Sequence, residues 1–133
     1  MSALLTPQQF TSKVVGAPWA PRRADWGAMN CYGLVMLYFR HVLGIELEEM
    51  PHSDIVAGFA ASRGWRECEP CAGVTCFMAW HDSAPAHCGV LLSESELLHA
   101  DGSEDRPGSV RVSRLRAMQQ IYGVIRFYLY EPC

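Results

Sequence analysis

The spacing of hydrophobic positions changes partway along this chain, dividing it into helices followed by strands. Pro7-Gln8-Gln9-Phe10 opens a short helix with Thr6 as its cap, because proline suits the first helical position and a threonine hydroxyl accepts a free N–H. Gly16 to Gly27 reads as a loop rich in proline, arginine and tryptophan. Asn30 then caps a second helix, in which Cys31, Leu34, Val35, Tyr38 and Val42 recur at helical spacing and put Cys31 on the buried stripe. Met36, Leu37 and Phe39 add apolar surface elsewhere, so this helix is expected to be central and covered almost all round. Gly44 ends it, with Ile45 packing back. Ser53 is expected to cap a further helix, Asp54 to Arg63, stopped by Gly64.

After Pro70 the rhythm becomes that of short strands: Val74 to Trp80, Ala86 to Leu92, Leu97 to Ala100, Val110 to Val112 and Tyr122 to Tyr130. Ser93-Glu94-Ser95-Glu96 reads as the turn of a hairpin, Asp101 to Gly108 as a loop, and Ser113 to Gln120 as a short helix capped by Ser113. Helices first and an antiparallel meander second predict an α+β fold, with the helix of Cys31 packed on an antiparallel sheet of about five strands. The 133 residues, without repeat or low-complexity segment, predict a single domain over 1–133.

Alternation adds a parity constraint. His87, Gly89 and Leu91 share one face of their strand, and Leu97 and His99 share one face of the next. The two histidines face the same way only if an odd number of residues separates the paired ends, as when Leu92 pairs with Glu96 across Ser93-Glu94-Ser95. His99 then lies opposite Gly89 and diagonal to His87, with the glycine leaving room for its ring.

Composition narrows the classes. Half of the residues are hydrophobic and 19% are charged, as in ordinary globular proteins. A net charge of −3 and the absence of a basic run exclude nucleic acid as an expected partner. The longest apolar stretch, Gly33 to Phe39, is too short for membrane insertion. Met1 to Pro7 has neither the basic start nor the apolar run of a signal peptide, so synthesis in the cytoplasm is expected. The six cysteines, irregularly spaced, are then expected as free thiols.

Cys31 is the first candidate for chemistry. A thiol in the first turn of a buried helix meets partial positive charge and unpaired N–H groups, which favour a thiolate and can receive an oxyanion. A buried structural cysteine is the plain alternative. His87 and His99, on adjacent strands, offer a base and a residue to hold its ring, against the alternative of two satisfied core histidines. Gly33 removes a side chain where a strand must approach the helix. Cys68-Glu69-Pro70-Cys71 with Cys76 invites a zinc or redox reading, but the spacing fits no standard site, so neither metal nor cofactor is expected. The loop Asp101-Gly102-Ser103-Glu104-Asp105 lacks the spacing of a calcium loop. Glu46, Glu48 and Glu49 read as a solvated face. Trp19, Trp26, Arg22 and Arg23 either line a cleft or anchor an exposed loop.

The run Trp26-Gly27-Ala28-Met29-Asn30-Cys31-Tyr32-Gly33-Leu34-Val35, followed by Leu43-Gly44-Ile45 and Leu47, resembles the nucleophile helix of the NlpC-type cell-wall cysteine peptidases, in particular their phage-tail branch. His87-Cys88-Gly89-Val90 resembles the family's His-Val-Gly-Ile/Val strand, and Leu98-His99-Ala100 its third polar residue. Gly123-Val124-Ile125-Arg126-Phe127-Tyr128 resembles the closing strand of the phage-tail branch. The resemblance implies a papain-like fold and hydrolysis of an amide in bacterial peptidoglycan stem peptides, usually between D-glutamate and a diamino acid. It also implies Cys31 as nucleophile, His87 as base and His99 as its orienter, with Trp19, Trp26, Asn30 and Tyr32 near the substrate. Membership of a virion tail and contact with other phage-tail proteins follow from the branch. Two positions depart from the pattern: Asn30 stands where the family has aspartate, and Trp19 where it usually has tyrosine. They keep open a catalytically degenerate structural or assembly protein of the same fold, beside an acyl transferase or amidase with the same triad.

Overall fold

The computed structural model describes residues 4–21, 23–47, 64–81, 84–103 and 105–130. Thr6 starts helix α1 (Pro7–Val14) through a capping box, its hydroxyl accepting from the Gln9 N–H while the Gln9 side chain accepts from the Thr6 N–H. The expected loop that follows contains a small hairpin, β1 (Ala24–Asp25) and β2 (Ala28–Met29). Asp25 shapes its turn by accepting from the N–H groups of Gly27 and Ala28.

Helix α2 (Cys31–Tyr38) begins where Asn30 accepts the Gly33 N–H at 2.7 Å. Every residue from Tyr32 to Tyr38 is buried, as the all-round apolar pattern predicts. Its continuation is a π-helical turn, Phe39–Leu43, which closes on Gly44 at φ 71° with the Ile45 N–H donating to the Phe39 carbonyl. The expected helix Asp54 to Arg63 lies outside the described residues, as do Glu48 and Glu49.

The main sheet has six strands, in the order β3 (Trp65–Cys68), β8 (Val124–Tyr130), β4 (Cys76–His81), β5 (Ala84–Ser93), β6 (Glu96–Ala100) and β7 (Val110–Arg114), each antiparallel to its neighbours. The expectation of about five strands is corrected by β3, an edge strand whose Arg66 and Glu67 interrupt the apolar pattern. Val74 lies in the turn before β4, with its N–H and that of Thr75 both donating to the Cys71 carbonyl. Helix α3 spans Leu115–Tyr122, not Ser113 to Gln120; Ser113 belongs to β7, and the N-cap position falls to Arg114, which makes no side-chain cap.

Two apolar layers follow from the period of two along the strands. Cys76, Met78, Cys88, Val90 and Leu98 pack under α2, whereas Phe77, Leu91, Leu97 and Phe127 form a smaller core around Met118 of α3. Burying each large side chain is worth about 1.5–3 kcal/mol, so the layers dominate the register.

The β5–β6 hairpin reaches the expected register by a different turn. Ser93 pairs with Glu96 around Glu94-Ser95, an even turn, but the ladder shifts so that Leu91 pairs with Leu97 and Val90 with Leu98. Leu92 is the extra residue, and this bulge restores the parity that the three-residue turn was expected to supply. A second bulge adjoins His87: Ala79 pairs with His87 but Trp80 with Pro85, which leaves Ala86 unmatched.

Helix α2 lies against β1 at Gly33, where a Cβ would stand 2.1 Å from the Arg23 carbonyl oxygen and 3.1 Å from the Ala24 Cα. Both atoms are backbone, so neither can swing aside. Gly33→Ala is therefore expected to lower the free energy of unfolding by about 2 kcal/mol or more. A urea transition is the measurement, and an unchanged midpoint would show that the helix does not meet this backbone.

Candidate active site

Cys31 stands at the first position of α2, with its thiol half-buried against the layer that contains Cys88. The Cys88 thiol acts most strongly on the Cys31 thiol, and the His87 imidazole and the Cys88 N–H act in the same direction. Together with the charge of His87 these influences outweigh burial and hold the Cys31 thiol well below its ordinary value. Cys88 is pushed the other way, by burial first and then by Cys31 itself.

His87 is fixed on several sides. Its Nε2 lies 2.8 Å from Nδ1 of His99. Tyr122, the last residue of α3, stacks on its ring at 5.7 Å between centroids and 16° between planes. Phe77 presents an edge to both imidazoles. Since Nε2 is engaged by His99, Nδ1 is the nitrogen left for Cys31. The close approach of the histidines needs Gly89: a Cβ there would lie 3.0 Å from the His99 Cβ and 2.3 Å from the Leu98 carbonyl oxygen.

His99 extends the row. Its Nε2 lies 2.8 Å from the Ser113 hydroxyl. Burial, and next the positive charge available to His87, depress its pKa to about 3. A neutral imidazole carries one proton, and the neighbours decide where. If Nδ1 of His99 accepts from His87 Nε2–H, then Nε2–H of His99 donates to the Ser113 oxygen.

The structure therefore brings Cys31, His87 and His99 together, and adds residues the sequence did not announce. Ser113 was hidden because β7 was expected to stop at Val112; carried one residue further, the alternation puts Ser113, opposite Leu97, on the face of His99. Tyr122 carries no sequence signal, because its placement depends on the phase of α3.

The expected substrate contacts are dispersed. Trp19 is half-buried and lies against Gly102, at the start of the loop that follows β6. Asn30 is buried, with its side-chain oxygen engaged in the α2 cap. Tyr32 is buried within the α2 layer. The Trp26 ring packs on Phe10 and His41 with Lys13 Nζ 4.3 Å above it, at the far end of α2 from Cys31. Arg23 is bound to Asp25 at 2.9 Å in an exposed pair. Arg22 lies outside the described residues.

For metals, the described residues bring one donor group together: His87, His99 and Asp101, whose ligand atoms lie within 4.8 Å of one another. The facing nitrogens of the two histidines are already engaged with each other. Cys68, Cys71 and Cys76 form no such group among the described residues.

A thiol at a helix N-terminus, served by histidines from an antiparallel sheet, is the layout of a papain-like domain. Residues 19–125 match the NlpC/P60 family, and the chain belongs to that family. Among solved structures it is similar to the NlpC/p60 domain of the peptidoglycan hydrolase SagA, at 15% identity and a TM-score of 0.64, covering 95% of this chain and 97% of that one. Comparison with curated proteins gives no match.

His99 makes stability depend on pH. In the unfolded chain it takes up a proton near 6.5, in the folded protein only near 3. Between these values the unfolded state holds more protons, so acidification through the window favours unfolding. Relative to His99→Gln, the native protein is expected to lose at most about 1.4 kcal/mol per pH unit as the pH falls from 6.5 toward 3. Parallel denaturant curves for the two proteins measure this; equal slopes against pH would show that His99 titrates normally.

Proposed function

We propose that this protein is a cysteine hydrolase that cleaves an amide bond in bacterial peptidoglycan stem peptides. The observation that carries the reading is the continuous row from Cys31 through His87 and His99 to Ser113. Membership of the NlpC/P60 family and the similarity to a domain of a peptidoglycan hydrolase support the substrate class.

In this reading Cys31 passes its proton to Nδ1 of His87, and the thiolate attacks the amide carbonyl carbon. The Cys31 N–H, at the start of α2, donates to the oxyanion. The His87 imidazolium then protonates the leaving amine, which departs as the thioester forms. Water attacks the thioester and gives a proton to His87; collapse expels the Cys31 thiolate and frees the acid. His99 and Ser113 act on His87 and not on substrate: they hold the tautomer that keeps Nδ1 toward the thiol.

Two finer statements belong to the same proposal. The bond is the one between D-glutamate and a diamino acid, and the protein works as a phage or prophage tail component, made in the cytoplasm and joined to other tail proteins. The run Cys31-Tyr32-Gly33-Leu34-Val35 and the closing strand Gly123 to Tyr128 support the tail branch. The competing reading, a tail protein that retains the fold alone, draws on Asn30 and Trp19. Asn30 weighs against it in one respect: it caps α2 as an aspartate would, without placing a carboxylate beside the thiolate.

Purified sacculi are expected to release stem-peptide fragments with the native protein and none with Cys31→Ala, while His99→Ala lowers the rate by about 10²–10⁴. In mildly acidic buffer, iodoacetamide is expected to label Cys31 before Cys68, Cys71 or Cys133. Rapid labelling of Cys31 with sacculi left intact would favour the structural protein; preferential labelling of another cysteine would remove Cys31 as nucleophile.

A further inference from the structure

Strand β6 ends on two potential metal ligands at alternate positions. Only Ala100 separates His99 from Asp101, so the period of two turns both to the same side of the chain. His87 reaches that side from β5, because Gly89 leaves room for the His99 ring. Two buried imidazoles and a half-buried carboxylate converge there, with one ligand atom of each within 4.8 Å of the other two. Among the described residues no other set of three histidine, cysteine or carboxylate ligands comes together in this way.

Each of the three is held from behind. Nε2 of His99 lies 2.8 Å from the Ser113 hydroxyl, which leaves Nδ1 to point inward. Nε2 of His87 faces that Nδ1 at 2.8 Å, and the stacked Tyr122 and the edge of Phe77 fix the ring. Asp101 is pinned through its backbone. Its N–H donates to the Ser109 carbonyl at 3.0 Å, and Gly108 lets the loop close, since a Cβ there would stand 2.3 Å from the Asp101 carbonyl oxygen. Trp19 seals the same loop, its N–H donating to the Gly108 carbonyl at 2.9 Å and its side chain lying against Gly102. Arg111 meets the Asp101 carboxylate at 3.5 Å. An imidazole whose second nitrogen is hydrogen-bonded, beside a carboxylate that is itself contacted, is how metal-binding histidines are oriented.

We propose that His87, His99 and Asp101 form a reversible zinc site, and that Zn²⁺ bound there switches the proposed hydrolase off. The switch rests on the hydrolase reading; the site itself does not. The donors suit this cation. Zinc takes imidazole nitrogen at about 2.0–2.1 Å and carboxylate oxygen at about 2.0–2.2 Å, and three protein ligands leave a fourth position for water. Two nitrogens on one tetrahedral zinc stand about 3.3 Å apart, so the histidine pair has to open by roughly half an ångström. Two imidazoles disfavour magnesium and calcium, which prefer oxygen.

The cation replaces the hydrogen bond between the rings. Neutral His87 need lose no proton, because the one on Nε2 moves to Nδ1. An Nδ1–H cannot accept the proton of Cys31, so the base of the proposed reaction is blocked while zinc is bound. Removing the zinc returns the proton to Nε2 and re-forms the histidine pair.

The test uses the untagged full chain, reduced and stripped of metal with EDTA. Co²⁺ stands in for Zn²⁺ because its visible d–d bands report its ligands. One equivalent is expected to bind with the bands of a four- or five-coordinate ion, without the near-ultraviolet charge-transfer band that a thiolate ligand gives, and Zn²⁺ is expected to displace it. The bands are expected to vanish in His99→Gln. Asp101→Asn is expected to weaken Zn²⁺ binding at least about tenfold, and Ser113→Ala about tenfold. Arg111→Gln is expected to tighten it, by freeing the carboxylate from a competing cation; a purely structural part for Arg111 would not change the sign. Thiolate charge transfer, the absence of stoichiometric binding, or affinity unchanged in Asp101→Asn overturns the site, and these arms hold even if His99→Gln fails to fold. Sacculus cleavage then separates the two readings. One equivalent of Zn²⁺ is expected to stop it and EDTA to restore it. Zinc binding without cleavage by the metal-free protein would keep the site and remove the hydrolase; cleavage that persists at saturating Zn²⁺ would keep the hydrolase and overturn the switch.

Discussion

The hydrogen bond between His87 and His99 depends on a sheet register that it is too weak to set. A buried neutral pair of this kind contributes about 1 kcal/mol net, and leaving one ring unpaired costs about 1–3 kcal/mol. Slipping β6 by one residue would instead reverse Leu97 and Leu98 with respect to the two apolar layers, at about 1.5–3 kcal/mol for each large side chain exposed. Burial therefore decides the register, and the polar row rides on it. Three local devices make the register serve the histidines. Leu92 bulges to correct an even turn, Ala86 bulges beside His87, and Gly89 removes the atom that would strike the Leu98 carbonyl and the Phe77 ring.

The other half of the site depends on where α2 begins. Asn30 accepts the Gly33 N–H, the Arg23 carbonyl accepts the Asn30 N–H at 3.1 Å, and Gly33 admits that same carbonyl to the helix surface. These contacts tie the first turn to the β1 segment while Tyr32 to Tyr38 are buried around it. Tyr38 adds a fastening further along, donating to the Gly73 carbonyl at 2.6 Å. The exposed Arg23–Asp25 pair adds little to this, since solvent screens it. What keeps Cys31 against β5 is thus mainly apolar packing with one neutral cap at its end.

Much of this was legible in sequence, and the parts that were not share a cause. Asn30 as cap, Gly44 as terminator, Gly33 as a point of close approach and Gly89 as room for His99 all follow from what single residues can do locally. The parity of the hairpin was readable because it needs only alternation, yet its turn was not. A two-residue loop with a bulge and a three-residue loop give the same faces, and only cross-strand hydrogen bonds distinguish them. Strand β3 was missed because Arg66 and Glu67, suited to a sheet edge, hide an apolar rhythm. Ser113 was misassigned because a serine before an apolar helix looks like a cap, while its tertiary partner, His99, lies on another strand. The influence of Cys88 on the Cys31 thiol escaped for a related reason. Alternation places Cys88 away from His87, but not relative to a helix end that arrives from outside the sheet.

In the proposed hydrolase, a neutral third residue changes how the site would work. A carboxylate in that place would stabilise an imidazolium by charge as well as by geometry; His99, neutral down to about pH 3, supplies direction and a dipole only. The compensating charge stands one step away. The Asp101 carboxylate lies within 4.8 Å of the ligand nitrogens of both histidines, and Arg111 approaches it at 3.5 Å from the outer side. Asp101 thus faces the histidines with its charge partly offset by a cation that solvent also screens. The stacked Tyr122 ring adds an electron-rich face to which an imidazolium is attracted. Orientation comes from His99 and Ser113, and charge from Asp101 and the Tyr122 face. In the proposed hydrolase, the two tasks that one aspartate performs in a Ser-His-Asp triad would be divided among neighbours brought together by three strands, a loop and the end of a helix.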